Sequence, residues 1–71
     1  MRYDLENRLK EIRLQQEKQQ EEIAELAGVS RRTYIRYENG SISPNLVSAF
    51  RIADALGIDN LREIWTYKNP H

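Results

Sequence analysis

The chain has 71 residues, with 11 Lys+Arg against 11 Asp+Glu, no Cys, and one His at the last position. A chain this short holds one domain and buries only about 60% of the surface its unfolded form exposes, so a compact helical core must supply its stability. The inventory excludes zinc fingers, thiol enzymes and haem-attachment motifs. No apolar run approaches the ~18 residues of a membrane span, and the first ten residues, MRYDLENRLK, lack the apolar stretch of a signal peptide, so a cytoplasmic protein is expected.

Helical spacing and glycine punctuation predict five short helices and an all-α class. The first runs from about Leu5 to Gln16, with Leu5, Leu9 and Ile12 at i, i+4, i+7. The second covers about Gln20 to Ala27, with Ile23, Ala24 and Ala27 on one face, and is followed by Gly28. The third starts after Ser30, a good N-cap, and ends near Glu38; Val29 and Tyr34 have the spacing of a hydrophobic staple. The fourth, about Asn45 to Leu56, carries the stripe Leu46, Ala49, Phe50, Ala53 and Leu56. The fifth is short, about Asn60 to Thr66. Only the ends, RYD at 2–4 and WTYK at 65–68, could make a minor strand pair. Leu14 and Leu26 fall off the stripes and read as partly exposed core edges.

The third helix carries the functional signal. With Arg31 at zero on a helical wheel, Ile35 falls at about 40°, Arg32 at about 100° and Arg36 at about 140°. Tyr37 and Tyr34 fall at about 240° and 300°, on the side expected to be buried. Arg31 and Arg32 sit in the first turn, at the positive end of the helix dipole, where cations are unfavourable by a few tenths of a kcal/mol. Arg32 and Arg36, four apart, repel rather than pair. An aliphatic Ile35 among arginines suits a DNA major groove, where it can meet a thymine methyl while arginines read guanine edges. The zero net charge hides this spot: residues 1–29 carry five bases and seven acids, residues 30–40 three and one, residues 41–71 three and three. Enzymatic readings fail on inventory, because there is no nucleophilic Cys, the one His is terminal, and no glycine-rich phosphate loop follows a strand. Glu21, Glu22 and Glu25 are closely spaced, but on a helix this short they read as a solvated acidic face.

Over about residues 6–59 the sequence resembles the lambda-repressor/Cro-like (XRE) helix-turn-helix family. The residues that carry the likeness are Arg13, Gln20, Ile23, Ala24, Ala27, Gly28, Val29, Ser30, Glu38, Asn39, Gly40, Pro44, Leu46, Ile52, Ala53, Ala55, Leu56 and Gly57. The resemblance implies a helix-turn-helix at about 20–38 that binds double-stranded DNA, with 30–38 as the recognition helix in the major groove. Base reading is then expected of Arg31, Arg32, Thr33, Ile35 and Arg36. Phosphate contacts are expected of Lys18, Gln19, Gln20, Asn39, Ser41 and Ser43. An Arg13–Glu38 ion pair is expected to tie the first helix to the third. The family usually has Gly, an apolar residue and Ser or Thr before the glutamine; here Glu17, Lys18 and Gln19 stand there, which removes a C-terminal Gly and an N-cap worth roughly 0.5–2 kcal/mol.

A single small module makes few contacts, so a homodimer on a palindromic operator is expected. Residues 60–71 are its candidate interface and tail, with Leu61, Ile64, Trp65 and Tyr67 either as dimer contacts or, equally, as a cap on the monomer's own core. The expected function is a sequence-specific transcriptional regulator, a repressor before an activator, without cofactor, metal or small-molecule effector domain. The alternative is a protein-interaction module on the same fold, such as an antitoxin-type partner of a second protein. Acids around the basic helix are expected to suppress non-specific DNA binding.

Overall fold

The computed structural model describes residues 5–68. In chain order it contains β1 (Leu5–Asn7), α1 (Leu9–Gln15), α2 (Gln20–Ala27), α3 (Arg31–Glu38), α4 (Leu46–Ala55), a 3-10 turn (Leu61–Glu63) and β2 (Trp65–Tyr67). Among the described residues there are thus four α-helices and a small sheet, where the sequence reading expected five helices. The expected fifth helix is a single 3-10 turn, after which the chain extends and pairs with the other end. β1 and β2 are antiparallel, with Leu5 opposite Tyr67, Glu6 opposite Thr66 and Asn7 opposite Trp65. WTYK supplies the second strand, but the first is 5–7; the RYD segment at 2–4 that the sequence offered for it lies outside the described residues, as does the tail at 69–71.

The same pairing moves the start of α1 from Leu5 to Leu9. The Arg8 amide donates to Ile64 O at 2.8 Å, which continues the cross-chain bonding past the sheet. Asn7 then makes the transition: its Oδ1 accepts from the Leu9 amide at 2.9 Å and its Nδ2 donates to Tyr37 O at 3.1 Å. One side chain thus begins α1 and fastens it to the end of α3.

All four helices end in the same way. The amides of Glu17 and Lys18, Gly28 and Val29, Gly40 and Ser41, and Gly57 and Ile58 bond back to carbonyls three and five residues earlier, at 2.9–3.2 Å. These are Schellman motifs, which need a left-handed residue at the first position of each pair. Three of those residues are glycines; the fourth is Glu17, with φ 56°. The turn after α1 therefore keeps the geometry a glycine would favour, with a glutamate under strain in its place. The Gln19 amide is covered by the Glu22 carboxylate at 3.5 Å, the long return arm of a capping box, so α2 starts without the Ser or Thr cap.

The core joins Leu9 of α1, Ile23, Ala24 and Ala27 of α2, Tyr34 and Tyr37 of α3, Ile52 and Ala53 of α4 with Leu56 just after it, and Ile64. α2 is the central element and packs on both α3 and α4. Ala24 and Ala27 have the small side chains that such double packing needs. Two members of the expected α4 stripe, Leu46 and Phe50, are instead exposed, because the core side of α4 is centred on Ala49, Ile52 and Ala53. Leu5, Leu14 and Leu26 are exposed as well. Among the described residues no helix is long and apolar enough to cross a membrane.

Candidate nucleic-acid interface

α3 is held by its two tyrosines. Tyr34 is fully buried and Tyr37 nearly so, which turns the opposite face of the helix outward. Arg31, Arg32 and Arg36 are exposed on that face, with Thr33 and Ile35 half-buried among them. Ser30 caps the helix: its Oγ accepts from the Thr33 amide at 3.1 Å and donates to Thr33 Oγ1 at 2.9 Å. The cap fixes where Arg31 and Arg32 leave the backbone. In the loop beyond α3, Asn39 Oδ1 accepts from the Ser41 amide at 2.9 Å and from Ser41 Oγ at 2.6 Å, which keeps the loop compact. Ser43 is exposed and borders an apolar groove on the α4 side, away from the cluster around Gln19 and Gln20.

Arg13 and Glu38 form a two-point pair whose side chains are 9% and 5% exposed. The third guanidinium nitrogen, Nη1, donates to Lys18 O at 2.9 Å, and Gln20 Nε2 donates to Glu38 Oε1 at 3.4 Å. This one pair therefore positions α1, the α1–α2 turn, the start of α2 and the end of α3. Burial works to raise the Glu38 pKa, but the hydrogen bonds from Arg13 and the Arg13 charge outweigh it, and the carboxyl is held below its ordinary value. The Glu38 hydrogen bond in turn raises the Arg13 pKa against its own desolvation. The Tyr34 hydroxyl is buried near the pair, outside hydrogen-bonding geometry. Burial, and then the nearby Glu38 carboxylate, push its pKa well up.

Two concavities flank the N-terminus of α2. One, of about 350 Å³, is lined by Gln19, Gln20, Glu21 and Arg31. The other, of about 470 Å³, is lined by Lys10, Arg13, Gln19, Gln20, Ile35, Glu38 and Asn39. The fold thus brings Gln19, Gln20 and Asn39 beside the arginine face. Lys18 is placed differently from expectation: its Nζ donates to Ala55 O at 3.1 Å, and Gln16 Nε2 donates to Leu56 O at 2.8 Å. These two side chains cover the C-terminal carbonyls of α4, where a cation complements the helix dipole. Lys10 was not singled out by sequence, although its place three residues before Arg13 puts both on one face of α1.

Of the four candidate interface residues, Ile64 is fully enclosed and belongs to the core of the single chain. Leu61 and Trp65 are partly buried against that core, and Tyr67 is 48% exposed. Leu61, Trp65 and Tyr67 line an apolar groove of about 350 Å³ together with Leu5, Pro44 and Leu46.

The family described as Helix-turn-helix matches residues 9–59, the whole of α1 to α4. The chain belongs to the helix-turn-helix family. It is 50% identical over 46 residues to an uncharacterized HTH-type transcriptional regulator of Methanothermobacter thermautotrophicus, covering 65% of this chain and 67% of that protein. It is 37% identical over 65 residues to the uncharacterized HTH-type transcriptional regulator MJ0272 of Methanocaldococcus jannaschii, covering 92% and 97%. It is also 33% identical over 52 residues to the cryptic phage CTXphi transcriptional repressor RstR of Vibrio cholerae, covering 73% of this chain and 47% of that repressor. Within that match, α2 and α3 are joined by a short turn in which Gly28 takes the left-handed conformation.

Proposed function

We propose that this helix-turn-helix protein is a sequence-specific double-stranded DNA-binding transcriptional regulator that represses by occupying its operator. The observation that carries the reading is the outward face of α3, where three exposed arginines flank a half-buried isoleucine and no acid intervenes. The names of the relatives, regulators and a repressor, support it and do not favour the protein-interaction alternative.

In this reading α3 enters the major groove. Arg31, Arg32 and Arg36 reach guanine O6 and N7, and Ile35 and Thr33 meet thymine methyls or base edges. Gln19, Gln20, Asn39, Ser41 and Ser43 contact the phosphate backbone and fix the register. Lys18 is left out of that set, because its ammonium serves the end of α4. A second copy joins through the apolar side formed by Leu61, Trp65, Tyr67 and Leu46, so that two α3 helices address half-sites about 34 Å apart on a palindrome. One module offers a single recognition helix, and doubling it is what gives a small protein enough contacts for specific affinity.

Random-site selection followed by sequencing tests the function. The expected result is an enriched duplex with two-fold symmetry. Recovery of no preferred sequence at physiological salt would sink the regulator reading.

A further inference from the structure

The notch between α1, the start of α2 and the middle of α3 has an unused cation. Arg13, at its inner side, is neutralised by Glu38 and bonded through Nε, Nη1 and Nη2. Lys18, adjacent in sequence to Gln19, is turned to Ala55 O. Lys10 lines the notch, is exposed, and among the described residues forms no hydrogen bond or ion pair. The other groups around it are amides: Gln19, Gln20 and Asn39. The one acid that lines the notch, Glu38, is paired with Arg13. With Lys10 and Arg13 against Glu38, the lining carries one net positive charge, with the positive end of the α2 dipole beside it.

Its position is the second part of the argument. Ile35, on the arginine face of α3, also lines the notch. A duplex laid against that face puts a phosphate ridge along each side of the helix in its groove, so one strand crosses the notch. We propose that Lys10 is a DNA-phosphate ligand, holding in this notch a backbone phosphate next to the bases read by α3, a role that rests on the DNA-binding reading. Gln20 and Asn39 complete the donor set. The lysine supplies the charge that Lys18 was expected to supply, from α1 instead of from the turn.

The experiment is a salt titration of binding to the selected operator and to a scrambled duplex, with wild type, Lys10→Ala, Lys10→Arg and Lys18→Ala. Losing one phosphate contact flattens the slope of log affinity against log salt by about 0.9, a loss of about fivefold near ~0.15 M salt. Lys10→Ala is expected to show that change equally on both duplexes, with an unaltered melting temperature. Lys10→Arg is expected to keep the wild-type slope. Lys18→Ala is expected to melt lower and keep the wild-type slope. An unchanged slope in Lys10→Ala beside normal wild-type binding overturns the role of Lys10 alone, as does a loss confined to the operator. A wild type that binds neither duplex overturns the DNA reading and this role with it.

Discussion

The Arg13 guanidinium and the Glu38 carboxylate meet edge to edge, Nε to Oε2 at 3.0 Å and Nη2 to Oε1 at 2.9 Å, and so join the last turn of α1 to the last residue of α3. Removing one member of a pair this enclosed leaves the other charge buried and unpaired, at about 3–5 kcal/mol. Arg13→Ala and Glu38→Ala are each expected to lower unfolding free energy in urea by about 3 kcal/mol. The double variant should lose much less than the sum. Additive losses would mean that the two side chains act separately.

Acid should unfold the protein through the same residue. The folded Glu38 carboxyl lies below its ordinary 4.5, so its charged form is favoured in the fold and the unfolded chain takes up the proton first. Its contribution is therefore complete above about pH 4.5 and is lost as pH falls through the folded value. Melting temperature against pH should show this decline, and Glu38→Gln should flatten it.

Tyr34 gives the opposite limb. Its folded pKa is raised from 10.0 by burial and by Glu38, so the unfolded chain ionises first. Stability is full below pH 10 and falls above it. Tyr34→Phe should remove that alkaline decline. It should not destabilise at neutral pH, because the hydroxyl it deletes has no hydrogen-bond partner. A neutral-pH loss above ~1 kcal/mol would show that the hydroxyl is bonded in solution.

Glu17 holds φ 56° in a motif whose three counterparts in the fold are glycines. A left-handed conformation is unfavourable by roughly 1–2 kcal/mol for residues with a Cβ. Glu17→Gly should raise stability by up to about 1 kcal/mol, read by thermal or urea unfolding, with DNA affinity changed only by the removal of one acid.

Arg32→Ala tests base reading. The exposed guanidinium should account for about 1–3 kcal/mol of discrimination at particular base pairs, with little change elsewhere in the site. A uniform loss across all duplexes would reassign Arg32 to the phosphate backbone.

The second copy is tested at Leu46, which is 65% exposed in the single chain. Leu46→Glu should leave the monomer folded, since an acid suits the first turn of α4. It should reduce sedimentation mass or cooperativity on a two-half-site duplex. Unchanged values for both would place the interface elsewhere.

Much of the architecture is local and therefore written in the sequence. Gly28, Gly40 and Gly57 mark helix ends because their conformation is decided within one turn, and Ser30 marks a start for the same reason. Alternation of tyrosines and arginines around one helix already says which face of α3 is buried. What the sequence could not decide depends on contacts between distant segments. Whether Leu5–Asn7 continues α1 or pairs with Trp65–Tyr67 is settled by partners about sixty residues away. The rotation of α4, which leaves Leu46 and Phe50 outside, is set by where α2 presents Ala24 and Ala27, since both faces of its stripe are apolar. The tasks of Lys10 and Lys18 were indistinguishable as letters. Only the tertiary structure brings the end of α4 within reach of one ammonium and leaves the other in the concavity that Ile35 also lines, because a long cationic side chain takes the nearest acceptor the fold provides.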